Sequence, residues 1–112
     1  MNIEAEFPLA NEVREALRMV IDPELGENVV DLGLIYSVAV EEGCVARVEM
    51  TTTTRGCPAT VYLKDAVESA AWNVPGIHYV DVRLTYEPPW NPEMMSETVG
   101  LHLGVARAKR HA

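Results

Sequence analysis

The sequence predicts an α/β chain of the α+β kind, a small two-layer sandwich in the order α-β-β-α-β-α, with helices covering a three-stranded mixed sheet. Three observations predict it. Two stretches of apolar-polar alternation flank Glu42-Gly43, the pattern of an antiparallel hairpin with one buried face. An amphipathic stripe follows Cys57-Pro58 with the period of a helix. A third alternating stretch comes directly after that stripe, and a strand-helix-strand crossover makes its two strands parallel.

The elements follow in order. Val13, Leu17 and Val20 recur at helical spacing behind Asn11, a capping residue, and Asp22-Pro23 closes the pattern, so a first helix is expected from Asn11 to about Ile21. From Ile35 the period becomes two, with Tyr36, Val38 and Val40 on one face and Ser37, Ala39 and Glu41 on the other. After the turn, Ala46, Val48 and Met50 alternate with Arg47 and Glu49; Cys44 shares the apolar parity and reads as a small core residue. Proline is favoured at the first helical position, which makes Cys57 the expected N-cap of a helix carrying Ala59, Leu63, Ala66, Val67, Ala70 and Val74 and ending at Pro75-Gly76. Val80, Val82, Leu84 and Tyr86 form the third strand, broken by Pro88-Pro89-Trp90. Asn91-Pro92 opens a last helix through Met95, Val99 and Leu103 toward Gly104.

At 112 residues the chain is expected to be one domain, residues 1–104, followed by a basic tail, 105–112, with Arg107, Lys109 and Arg110. With those three cations set aside, the formal −8 becomes −11 on the rest of the chain. Such a body repels phosphate backbones, which excludes nucleic-acid binding through the domain. No apolar run reaches the length of a membrane span. Met1 to Glu6 lacks the basic and apolar regions of a signal peptide, so a cytoplasmic address is expected, where the two cysteines are thiols.

The parallel crossover brings Asp22-Pro23-Glu24, Asp31 to Leu34, Thr53 to Pro58 and Pro88-Pro89-Trp90 to one rim of the sheet, with His78 at the opposite end. As an N-cap, Cys57 would hold its sulfur near the positive end of the helix dipole with Arg55 two residues away, the setting of a reactive thiolate. Around it the rim gathers the carboxylates of Asp22, Glu24 and Asp31, the hydroxyls of Thr53 and Thr54, and Trp90. A thiolate with a carboxylate suits iron or zinc, and equally suits thiol, sulfur or acyl transfer. Asp22 and Asp31 also have structural duties open to them, as a helix-end cap and an Asx turn, and Trp90 could be a lid over the core. Cys44 and Cys57 cannot pair, because strand from 44 to 54 spans roughly 33 Å. There is no Gly-rich phosphate loop, no CxxC and no HxxxH. One sulfur per chain is too few for a closed structural zinc or a ferredoxin-type cluster.

Val20-Ile21-Asp22-Pro23-Glu24, Asn28 to Tyr36, Gly56-Cys57-Pro58 and Pro88 to Ser96, taken together and in this order, resemble the iron-sulfur cluster assembly domain family, the SufT- and PaaD-like proteins of metal-sulfur cluster biosynthesis. The resemblance runs from about Val13 to Gly104. It implies an iron-sulfur-cluster-assembly-domain-like fold and a non-catalytic, metal-binding role in maturing iron-sulfur proteins. It also implies that Cys57 is the reactive or metal-binding thiol, with Asp22, Glu24, Thr53 and Thr54 lining its site. Cys57 with Glu24 would then handle iron or an iron-sulfur cluster transiently, and a second copy in a homodimer, a small thiol, the assembly machinery or a client apoprotein would complete the coordination. PaaD-like proteins carry a cysteine-rich C-terminal extension, whereas Val105 to Ala112 holds no cysteine, so the expected likeness is to the short, single-domain branch. The competing readings are a Cys57-dependent transfer enzyme and a protein-interaction module with an inert cysteine.

Overall fold

In the computed structural model, which describes residues 3–103, helix α1 spans Ile3–Leu17, strands β1 and β2 span Ile35–Glu41 and Val45–Met50, and helix α2 spans Thr60–Trp72. Strand β3 spans Tyr79–Leu84, a 3-10 turn covers Pro92–Met94, and helix α3 covers Glu97–His102. The expected basic tail, 105–112, lies outside the described residues.

The sheet order is β1-β2-β3, with β1 antiparallel to β2 and β2 parallel to β3. This is the expected topology, and its cause is visible in the side chains. Ala46, Val48 and Met50 of β2, with Val80 and Val82 of β3, bury one face of the sheet. Leu63, Val67 and Ala71 from α2 and Val13 and Leu17 from α1 cover that face. The opposite face is polar: Arg47 reaches Glu41 at 2.5 Å and Asp81 at 2.6 Å. Such a sheet presents alternate residues to core and solvent, which is why the two-residue period was so plain.

Several local expectations are corrected. Helix α1 begins before Asn11, which is exposed on its surface, because Leu9 and Ala10 pack against the core and hold the earlier turns. It ends at Leu17, where three-residue bonds such as Val20 N–H to the Leu17 carbonyl, 3.0 Å, tighten the chain, and Ile21 pairs instead with Asn28. Cys44 is half-buried in the hairpin turn with φ 59°, and its carbonyl accepts the His78 N–H at 2.9 Å. Glu41 pairs with Val45, so three residues close the turn, and Cys44 is one of them rather than part of the buried strand face. A bulge between Ile35 and Ser37 breaks the alternation there: Ile35 is buried in the core beside Tyr36, which is half-buried as Val38 is. Tyr86 falls beyond the end of β3. The last helix is split: Asn91 caps the 3-10 turn through the Glu93 N–H at 2.8 Å, and Ser96 caps α3 through the Val99 N–H at 3.3 Å.

Candidate functional site

Cys57 is not the N-cap of α2. That position is Ala59, which makes no side-chain cap, and a turn precedes it in which the Cys57 carbonyl accepts the Thr60 N–H at 3.0 Å and the Thr60 hydroxyl at 2.7 Å. Pro58 therefore begins this turn rather than the helix itself. The Cys57 side chain is buried, 7% exposed, and its thiol donates to Glu24 Oε1 at 3.7 Å. Arg55 is turned to another partner, its guanidinium 4.6 Å above the Tyr86 ring.

The segment between α1 and β1 explains how Glu24 comes to face the thiol. The buried Asp22 carboxylate accepts the backbone N–H groups of Glu24, 2.7 Å, and Leu25, 3.2 Å. Its own backbone closes the same turn, with Asp22 N–H on the Glu27 carbonyl at 2.9 Å and Gly26 N–H on the Asp22 carbonyl at 2.8 Å. Asp22 thus spends its oxygen on the turn, and the turn projects Glu24 outward. Among the described residues, Cys57 is the one hydrogen-bond partner of the Glu24 carboxylate.

Asp31 is occupied differently. It accepts Arg18 Nη1 at 2.6 Å and Asn28 Nδ2 at 2.9 Å, while its carbonyl accepts the Ser96 N–H at 2.6 Å. The Asn28 hydrogen bond and the Arg18 guanidinium hold its carboxyl below the usual carboxylate range against the opposing effect of burial, while hydrogen bonds to Asp31 and then to Glu15 push Arg18 upward. Asp31 is thereby tied into the helix end and into the α3 cap, not into the neighbourhood of the sulfur.

Thr53, Thr54 and Trp90 share a hollow of about 300 Å³ beside the Cys57 loop, together with Arg55, Tyr86 and Glu87. Cys57 does not line it. Trp90 is half-buried and anchored, its Nε1–H donating to the Leu32 carbonyl at 2.8 Å. Thr52, fully buried, donates to the Thr54 carbonyl at 2.7 Å and meets the Tyr86 hydroxyl at 3.2 Å. Tyr86 was missed by periodicity because it continues the apolar parity of β3. The signal that could have found it is the Pro88-Pro89 pair close behind, which ends pairing early.

No group of three or more His, Cys, Asp or Glu side chains converges among the described residues. The donor set at Cys57 is therefore one sulfur and one carboxylate. His102 meets Glu27 at 3.6 Å, on the segment that carries Glu24, rather than joining that pair. No helix among the described residues is long and apolar enough to cross a membrane.

A small α+β protein with its helices over one face of a three-stranded mixed sheet, and a buried thiol aimed at a carboxylate from a capped turn, is the class that the fold and the site define. The chain belongs to the iron-sulfur cluster assembly protein family, whose model matches residues 10–84. It is 42% identical over 88 residues to the Fe-S protein maturation auxiliary factor SufT of Staphylococcus aureus, covering 79% of this chain and all of that one. It is 35% identical over 100 residues to the Fe-S protein maturation auxiliary factor YitW of Bacillus subtilis, covering 89% and 98%. Among solved structures, the domain of unknown function DUF59 from Bacillus anthracis superposes with a TM-score of 0.88 at 35% identity, covering 93% of this chain and 99% of that one.

Proposed function

We propose that this chain is a cytoplasmic accessory factor in iron-sulfur cluster assembly or in the maturation of iron-sulfur proteins, with Cys57 and Glu24 transiently holding iron or a cluster as cargo. The names of SufT and YitW support the process. The observation that carries the site is the Cys57 Sγ to Glu24 Oε1 contact of 3.7 Å. A metal entering between these atoms would displace the thiol proton, and a soft sulfur with a hard oxygen matches the intermediate character of ferrous iron. Two donors leave coordination positions open. Openness of that kind favours hand-over to an apoprotein or to the assembly machinery over storage, and the missing ligands come from the recipient, a small thiol or a second copy of the chain.

The test is anaerobic loading with ferrous iron, and with iron plus sulfide, followed by visible absorption and metal analysis of wild type and Cys57→Ser. Serine can still donate to Glu24 but is a poor soft-metal ligand, so we expect loss of bound iron with stability changed by no more than about 1 kcal/mol. Full iron loading in Cys57→Ser would send the assignment elsewhere.

A further inference from the structure

The hollow beside the Cys57 loop has a chemical character of its own. Arg55 makes no ion pair among the described residues, although the chain is strongly acidic; its one described contact is the face of Tyr86. Glu87 lines the same hollow, and no hydrogen bond or ion pair engages its carboxylate among the described residues. Thr53, Thr54, Tyr86 and Trp90 line the same hollow and add hydroxyls and an aromatic surface to it. A single anion would be repelled by Glu87 and a single cation by Arg55. A molecule carrying both charges satisfies both residues at once, because a planar guanidinium pairs with a carboxylate and a free carboxylate with an ammonium.

We infer that this hollow binds the zwitterionic head of an α-amino-acid thiol, of which free cysteine is the simplest, and so supplies the small thiol that the open Cys57 site lacks. The inference rests on the reading of Cys57 and Glu24 as a cargo site. Two virtual bonds separate the Cα atoms of Arg55 and Cys57, at most about 7.6 Å, and Gly56 turns the chain between them at φ 73°. We place the ligand's sulfur on the side of the hollow that the Cys57 loop forms, which Thr53, Thr54 and Arg55 line. When iron is present that sulfur joins Cys57 as a second soft donor, losing its proton to solvent; no bond to carbon or between sulfurs is made or broken.

Trp90 reports on the hollow once Trp72 is replaced by Phe, because the chain has two tryptophans. In that background and without metal, L-serine, which has the head group but no sulfur, should shift Trp90 emission saturably, as should L-cysteine. N-acetyl-L-serine and L-serinamide, each lacking one charge, should bind about tenfold more weakly or worse, as should L-serine to Arg55→Gln and Glu87→Gln. Arg55→Lys, which keeps the charge but not the planar fork, should bind between wild type and Arg55→Gln. Absence of a saturable shift with either amino acid, or wild-type affinity in both glutamine variants, overturns the inference. A parallel ferrous iron titration separates it from the cargo reading. With wild type, L-cysteine but not L-serine should tighten iron binding, and Arg55→Gln should lose that gain while keeping the iron bound without amino acid. Iron held by Cys57 with no head-group binding would sink the hollow alone; head-group binding with no iron at Cys57 would sink the cargo reading alone.

Discussion

Asp31 and Glu24 stand on the same segment between α1 and β1, and the structure treats them in opposite ways. Asp31 is saturated by Arg18 and Asn28, and its backbone is fastened to Ser96. Glu24 is exposed and has one described partner, a thiol, which is a weak donor. Asp22 sides with Asp31, since its carboxylate is committed to the turn that lifts Glu24. The difference teaches that acidic residues gathered in one segment are not one acidic site. Those that hold strong donors build the loop, and the one left to a weak donor is available for a ligand.

The comparison can be broken by disturbing the loop itself, and the largest effect should come from Gly33. It has φ 80°, and a Cβ there would collide with the backbone carbonyl of Met94 and come within 2.8 Å of its Cβ. Gly33→Ala must therefore move two segments at once, and we expect a loss of about 3 kcal/mol in denaturant unfolding. A loss below about 1 kcal/mol would mean that the segment is not held against the 3-10 turn. Next in size is Asp22→Ala. Removing a buried carboxylate that accepts two N–H groups should cost about 2 kcal/mol and lower iron uptake as a consequence of misplacing Glu24. Unchanged stability would strip Asp22 of its building role and return it to the list of candidate ligands.

How far this division could be read without coordinates follows from what each residue depends on. The sheet topology was legible because alternation in Val38–Val40 and Ala46–Met50 and the crossover at α2 are short-range signals with one geometric solution. Iron-sulfur family membership was legible because several blocks keep their order. The α1 start, the split of the last helix and the position of Cys44 were not, since each is decided by packing or by turn closure that periodicity does not encode. The same holds within the site. Asp22, Glu24 and Asp31 are equivalent carboxylates in the sequence, and they part company only when the end of α1 delivers Arg18 to Asp31 and the turn spends Asp22 on backbone groups. The hollow formed by Thr53, Thr54, Arg55, Tyr86, Glu87 and Trp90 depends on where β3 ends, which parity alone overran.

A smaller effect, with a defined pH signature, is expected at Asp31. Its carboxyl is held below the ordinary range in the folded state, so the stability it contributes is fully present above the unfolded value, near pH 4, and is lost as pH falls through the folded value. Because the Arg18 pair is partly exposed, with side chains 39% and 29% accessible, the discounted contribution is about 1 kcal/mol. Asp31→Asn should lower stability by that amount at neutral pH and flatten the acid limb of the stability curve. An unaltered acid limb would show that another carboxylate carries it.

The smallest effect on stability, and the one that sharpens the comparison most, belongs to Glu24→Gln. The residue is exposed, its carboxylate supports no backbone group, and the amide keeps its shape and can still accept from the Cys57 thiol. Unfolding free energy should change by less than about 0.5 kcal/mol, the usual range for a surface substitution. What changes is charge. If the pair holds iron as proposed, the anionic oxygen of wild type keeps the metal over the sulfur and shields it, so ferrous iron should slow Cys57 alkylation more in wild type than in the variant. Measuring the rate of Cys57 alkylation at neutral pH in both proteins, with and without ferrous iron, reads this difference. Equal protection by iron in both proteins would remove Glu24 from the site and make it one more solvated glutamate, while a stability loss as large as that of Asp22→Ala would move it into the group that builds the loop.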